Sequence, residues 1–170
     1  MVYAFDGYKS IATRYFMSYY KGIILAGGQG IRLRPMTTAV NKHLLPVYDK
    51  PMIYYPLAVL AQANINEILL ITTSQSLNAY KALLNDGTHF GMNIQYAIQD
   101  QPSGVAESLI IAKQFIGNDK ICLILGDNFF YGPAMDTYLQ QAKENNPGAT
   151  LFAYPVKDPE RFGVVELDKS

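Results

Sequence analysis

From Lys21 onward, short apolar runs alternate with amphipathic stretches, and most of the runs are continuous rather than alternating with polar residues. A strand covered on both faces reads this way, because neither row of its side chains meets water. The runs predict strands over Lys21–Ala26, Glu67–Thr72, Asn93–Ile98 and Lys120–Leu125. Between and after them, helices are predicted over Met52–Ala63, Ser76–Asn85, Val105–Phe115 and Ala134–Asn145. Pro51 and Pro133 stand just before two of these starts, where the fixed φ of proline suits a first turn. Two further strands are expected near Ala149–Val156 and Gly163–Leu167. Strands and helices in this alternation predict right-handed crossovers and an α/β fold, a three-layer α/β sandwich around a mostly parallel, Rossmann-like sheet. Residues 1–20 break the pattern, mixing Tyr3, Asp6, Tyr8, Lys9 and Arg14 without a helical or strand period. They are read as a weakly ordered extension, with Met17 an alternative start, and residues 21–170 as the domain.

Composition narrows the picture. At 170 residues and 49% hydrophobic, the chain can bury the core of one ordinary domain. Fourteen basic residues balance fourteen acidic ones, so no long-range field would draw the protein to nucleic acid or to an anionic membrane. Any affinity for phosphate has to be built locally. The one cysteine, Cys122, cannot form an intrachain disulfide, which suits a reducing cytoplasm. No apolar stretch approaches the roughly 20 residues of a membrane helix, and the first twenty residues do not read as a signal sequence. A cytoplasmic protein without a membrane partner is the expectation.

Candidate chemistry begins directly after the first strand, where Gly27, Gly28 and Gly30 make a loop able to present backbone N–H groups to phosphate. Glycines also serve ordinary tight turns, but ligands in open α/β sheets sit beyond the carboxyl ends of the strands, where this loop falls. A Walker A loop would end in Gly-Lys-Ser/Thr, and Ile31-Arg32 follows Gly30 instead. A dinucleotide fingerprint would place glycine or alanine at position 33, which is Leu33. At the other end of the chain, the apolar strand Lys120–Leu125 runs into Gly126-Asp127-Asn128, setting a carboxylate at the same edge. Magnesium on triphosphate oxygens would be a natural partner for Asp127, and a local Asx turn is the plainer alternative.

The run Gly22–Ile53, which includes Ala26-Gly27-Gly28-Gln29-Gly30-Ile31-Arg32-Leu33-Arg34-Pro35 and Lys42-His43-Leu44-Leu45-Pro46-Val47, resembles the signature of the sugar-phosphate nucleotidyltransferase family. Tyr54-Tyr55-Pro56-Leu57 is similar, more narrowly, to its thymidylyltransferase branch, and Leu125–Gly132 to its metal-binding motif. Ile31 departs from the pattern, standing where threonine or serine is usual, which removes a hydroxyl and keeps the backbone donors. The resemblance implies catalytic, triphosphate-contacting roles for Arg32 and Lys42 and magnesium binding by Asp127. It implies that Gln99 and Gly104 read the pyrimidine edge, an amide offering donor and acceptor together. It also implies a sugar-binding wall at Tyr131, Phe162 and Gly163, with Phe162 keeping the ring of the usual tyrosine and losing its hydroxyl.

The implied reaction joins dTTP to glucose 1-phosphate with Mg2+, giving dTDP-glucose and pyrophosphate, in an enzyme whose full-length form is a homo-oligomer, a tetramer by the same resemblance. Relatives that use UTP or CTP are the neighbouring alternative. Because family members are longer, the chain reads as an N-terminal portion lacking a second metal carboxylate and a sugar-phosphate clamp, hence poorly active alone. A non-catalytic nucleotide-binding fragment and, by fold analogy only, a dinucleotide-dependent oxidoreductase are the competing readings.

Overall fold

The structure, a computed structural model, describes residues 20–101, 103–144, 148–153, 155–161 and 163–166. The expected extension over residues 1–20 therefore lies, but for Tyr20, outside the described residues. Four strands, β1 (Tyr20–Leu25), β4 (Glu67–Thr72), β5 (Asn93–Ile98) and β6 (Lys120–Leu125), form one sheet in the order β5-β4-β1-β6. Every pairing is parallel, with Ile24 opposite Leu70 on one side and Ile124 on the other. A small antiparallel pair, β2 (Pro46–Val47) and β3 (Lys50–Pro51), which the hydrophobic pattern does not reveal, sits between β1 and the first helix.

Alternate side chains of the strands feed two separate cores, as a pleated sheet covered on both faces requires. Ile24, Ile68, Leu70 and Ile94 point one way, against Leu57 and Leu60 of α1 (Tyr54–Gln62), Tyr80 and Leu84 of α2 (Ser74–Leu84) and Leu139 of α5 (Met135–Glu144). Ile23, Leu69 and Ile71 point the other way, onto Ile111, Ala112, Phe115 and Ile116, around α3 (Val105–Ile111) and α4 (Lys113–Ile116). The three-layer α/β sandwich is thus present. Gly22 is required by this packing, since a Cβ there would stand 2.7 Å from Ile68 Cδ1 and 2.8 Å from Leu60 Cδ1. Truncating a side chain as fully enclosed as Leu60 to alanine should cost about 2–5 kcal/mol.

Several boundaries differ from the sequence reading for identifiable reasons. α1 starts at Tyr54 rather than Met52, because the N–H groups of Met52 and Ile53 donate to Leu45 O (3.0 Å) and His43 O (2.9 Å), tying them to the preceding loop. The expected helix Val105–Phe115 divides at Ala112, whose ψ of −4° interrupts the α pattern for one residue. The strands expected near Ala149–Val156 and Gly163–Leu167 are not formed among the described residues, and Leu151 and Val164 are exposed. A strand needs a neighbour's backbone to pair with, and among the described residues no strand pairs with the outer edge of β6. Among the described residues no helix is long and apolar enough to cross a membrane.

The order β5-β4-β1-β6 reverses direction between β1 and β6, the topological switch point of the sheet. The chain steps outward from β1 to β4 and β5, then returns by α3 and α4 on the opposite face to set β6 on the other side of β1, and a crevice lies at the carboxyl ends there. The glycine loop and Asp127 are the segments that emerge into it.

Candidate functional site

At the end of β1, Ala26 is fully buried and its N–H donates to Ile71 O at 2.7 Å, so the glycine loop departs from a fixed point. The loop then folds over the stem of Lys42. A Cβ at Gly28 would lie 3.1 Å from Lys42 Cε, and one at Gly30 would lie 2.8 Å from Lys42 Cβ and 2.9 Å from Thr37 Cγ2. Gly30 also takes a left-handed φ of 61°, which glycine adopts without a steric penalty. The Thr37 hydroxyl donates to Gly30 O at 2.7 Å and closes the turn.

Across the crevice, Lys42 Nζ forms an ion pair and hydrogen bond with Asp127 Oδ2. Partial burial works against ionisation of Asp127, but the hydrogen bond and charge of Lys42 outweigh it and hold the carboxyl below its ordinary range. With 37% of its side chain exposed, the carboxylate keeps an open side. The structure therefore unites Gly28, Gly30 and Lys42 with Asp127, which lies 85 residues beyond Lys42 in the chain. Arg32 is placed differently. It is exposed and makes no hydrogen bond or ion pair among the described residues, standing clear of the pair.

Beneath the ion pair lies a polar cluster that sequence reasoning missed. Asn41 Oδ1 accepts from the His43 N–H at 3.0 Å, which identifies that atom as the oxygen. The same oxygen lies 2.8 Å from His43 Nδ1, so Nδ1 carries the proton and donates. Asn41 Nδ2 and Thr72 Oγ1 each donate to Ala26 O at 3.2 Å, and the Tyr80 hydroxyl reaches both Ala26 O (3.2 Å) and Asn41 Oδ1 (3.0 Å). Burial, reinforced by the Lys42 charge, lowers the His43 pKa to about 4, so the ring is neutral at physiological pH. Burial likewise pushes the Tyr80 hydroxyl upward and keeps it protonated. Gly126 completes the fit, because a Cβ there would stand 2.9 Å from His43 Cδ2. The signal in the sequence was slight, amounting to two polar residues on either side of Lys42.

On the base side, Gln99 follows β5 and is buried, while Gly104 precedes α3 with a φ of 91°. Gln99 Nε2 donates to Gly104 O at 3.2 Å and to Glu107 Oε2 at 2.5 Å, so the two residues matched to base recognition touch each other. Gln99 O lies 3.7 Å from where a Cβ of Gly27 would sit, which brings this segment beside the glycine loop. An open cleft of about 610 Å³ adjoins the site, lined among others by Gly27, Gly28, Arg34, Asn41, Thr73 and Asp100. Lys42, Gln99 and Asp127 border the loop without lining that cleft. Arg34, from the same motif as the glycine loop, does line it.

The sugar side is not assembled in the same way. Tyr131 is fully exposed, Gly163 is exposed, and Phe162 lies outside the described residues.

A parallel sheet with a glycine loop and an ion pair at its switch point defines a doubly wound α/β protein. The sequence pattern of the Nucleotidyl transferase family matches residues 21–170, and the chain belongs to that family. A Neisseria gonorrhoeae glucose-1-phosphate thymidylyltransferase is 58% identical over 150 residues, covering 88% of this chain and 52% of that protein. The Xanthomonas campestris pv. campestris protein of the same name is 52% identical over 153 residues, covering 90% of this chain and 52% of the relative. Among solved structures, a Bacillus anthracis protein described as a candidate glucose-1-phosphate thymidylyltransferase, in complex with a sucrose, superposes with a TM-score of 0.81 at 41% identity, covering 88% of this chain and 61% of that one. The chain spans about half the length of the curated relatives it matches.

Proposed function

We propose that the chain carries the nucleotide half of a glucose-1-phosphate thymidylyltransferase, which joins dTTP to glucose 1-phosphate and releases pyrophosphate. The observation that carries this reading is the Lys42–Asp127 pair held under the glycine loop at the switch point of the sheet. The names of the relatives support the choice of substrates.

In the reaction, a phosphate oxygen of glucose 1-phosphate attacks the α-phosphorus of dTTP. A new P–O bond forms, the bond to the bridging oxygen of the β-phosphate breaks, and pyrophosphate departs with the electron pair. Negative charge grows on the pentavalent centre and on the leaving group, so cations fixed nearby stabilise the transition state more than the ground state. Lys42 supplies a point charge held in place by Asp127, Gly28 and Gly30. Arg32, exposed before the nucleotide arrives, supplies a planar fork of donors that folds onto the phosphates. The N–H groups of Gly27, Gly28 and Gly30 add uncharged donors.

The donor set at Asp127 suits magnesium in a limited way. Among the described residues no group of three or more acidic, histidine or cysteine side chains converges, so the ion would take one half-exposed carboxylate and draw its other ligands from phosphate oxygens and water. Magnesium accepts that arrangement, and when bound it neutralises charge on the triphosphate.

Titration calorimetry in magnesium buffer with dTTP, UTP, CTP and NAD tests the reading. Binding of dTTP in preference to NAD is expected. UTP or CTP binding more tightly than dTTP would reassign the nucleotide, and NAD binding more tightly than all three would overturn the proposal. A pyrophosphate-release assay with glucose 1-phosphate, on the chain extended to the length of its relatives, tests the transfer itself.

A further inference from the structure

Gln99 is only 9% exposed, and the way its amide is held restricts what it can recognise. Both partners of Nε2, Gly104 O at 3.2 Å and Glu107 Oε2 at 2.5 Å, are acceptors, so the nitrogen end of the amide is fixed by chemistry. Both N–H donors are thereby engaged. Oε1 has no hydrogen-bond partner among the described residues, which leaves an open acceptor on a nearly buried side chain that follows β5 at the carboxyl edge of the sheet. An acceptor in that state is costly until a donor fills it.

We propose that Glu107 is a positioning residue that sets nucleobase specificity by holding the Gln99 amide with its oxygen toward the base. A base carrying a ring N–H at position 3, thymine or uracil, satisfies that oxygen. Cytosine presents a lone pair at the same position, and acceptor then faces acceptor. Without Glu107, reversing the amide sacrifices only the single bond to Gly104, so either orientation becomes accessible and discrimination is lost. The inference rests on the reading of Gln99 as the base contact.

The test is calorimetric titration of the chain with dUTP and dCTP, which differ only at the base edge, in magnesium buffer. The parent should favour dUTP by roughly tenfold or more. Gln99→Leu should abolish the preference. Glu107→Leu should bring the two affinities within about threefold, through weaker dUTP and equal or stronger dCTP binding, and Glu107→Gln, which still offers an acceptor, should restore most of the ratio. A packing defect would weaken both nucleotides alike and leave their ratio intact, and circular dichroism separates it from unfolding. If Gln99→Leu removes the preference while Glu107→Leu retains it, the positioning role is wrong and the base contact stands. If the parent shows no preference, or Gln99→Leu keeps it, the base contact fails and the inference falls with it.

Discussion

Around Lys42, atoms from β1, the glycine loop, α2 and the turn after β6 press on one another, and His43 beneath is 2% exposed. Around Tyr131, a few residues beyond the same strand β6, the side chain is wholly in solvent and the backbone is in no regular element. Both regions match the same family pattern. Lys42 and Asp127 are fixed by the sheet, so their charges are in place before any ligand arrives, whereas Arg32 stands clear and Tyr131 and Gly163, the candidates for a sugar wall, have no scaffold among the described segments. Preorganised charge is what lowers a barrier, and a loose wall contributes mainly to substrate affinity.

The largest effects should therefore come from the phosphate side. In the chain extended to the length of its relatives, Asp127→Asn keeps size and hydrogen-bonding capacity but removes the charge, and it should abolish magnesium-dependent transfer with the fold intact by circular dichroism. Full activity at limiting magnesium would return Asp127 to the role of a local turn residue. Lys42→Ala or Arg32→Ala should lower turnover on the order of a hundredfold or more, with a smaller effect on affinity. Arg32 is the sharper case, because it makes no ion pair among the described residues. If Arg32→Ala stays within a few-fold of the parent, its catalytic role is wrong and Lys42 carries the charge alone.

A second effect, on stability, follows from the neutral His43. The unfolded ring takes up a proton near pH 6.5, and the native ring only near pH 4. Between those values the unfolded state binds more protons, so stability rises with pH across the window. It is fully present above about pH 6.5 and falls as the solution is acidified toward pH 4, by up to roughly 3 kcal/mol. Asp127, Asp86, Asp100 and Asp49 are held below their ordinary carboxylate value, so their own losses set in only below about pH 5, and the slope between pH 7.5 and 5 belongs mainly to His43. Urea unfolding at pH 7.5, 6 and 5 measures the slope. His43→Gln should flatten it, and a parent curve already flat over that range would show that the ring is not held neutral.

How far these features could be read beforehand depended on whether the signal was local. The four long strands stood out as short runs rich in Ile and Leu between amphipathic stretches, most clearly β4, and Gly27, Gly28, Gly30 and Asp127 stood out because their positions follow from strand ends. The pairing of Lys42 with Asp127 was a different matter, since no pattern along the chain reports which side chains cross a crevice. Asn41, His43 and Tyr80 were passed over for the same reason, as polar residues that look solvated until tertiary packing encloses them. The strands expected at Ala149–Val156 and Gly163–Leu167 show the opposite error, in which suitable side chains lack a backbone to pair with.

The smallest effect on the fold belongs to Tyr131, and it separates the two regions most cleanly. A side chain wholly in solvent, with no ring contact, hydrogen bond or ion pair among the described residues, has no packing to lose. Tyr131→Ala should leave the urea midpoint within about 0.5 kcal/mol of the parent, as surface substitutions generally do. The affinity for dTTP should be unchanged, because the loop, Lys42 and Gln99 lie elsewhere. If the ring forms part of a sugar wall, the KM for glucose 1-phosphate should rise several-fold in the extended chain while kcat is preserved, the pattern of a residue that binds ground state and transition state alike. A loss of more than about 1 kcal/mol in stability would mean that Tyr131 packs in solution and that the contrast between the two regions is overdrawn. An unchanged KM would remove Tyr131 from the sugar site, leaving Phe162 and Gly163 as the remaining candidates for that wall.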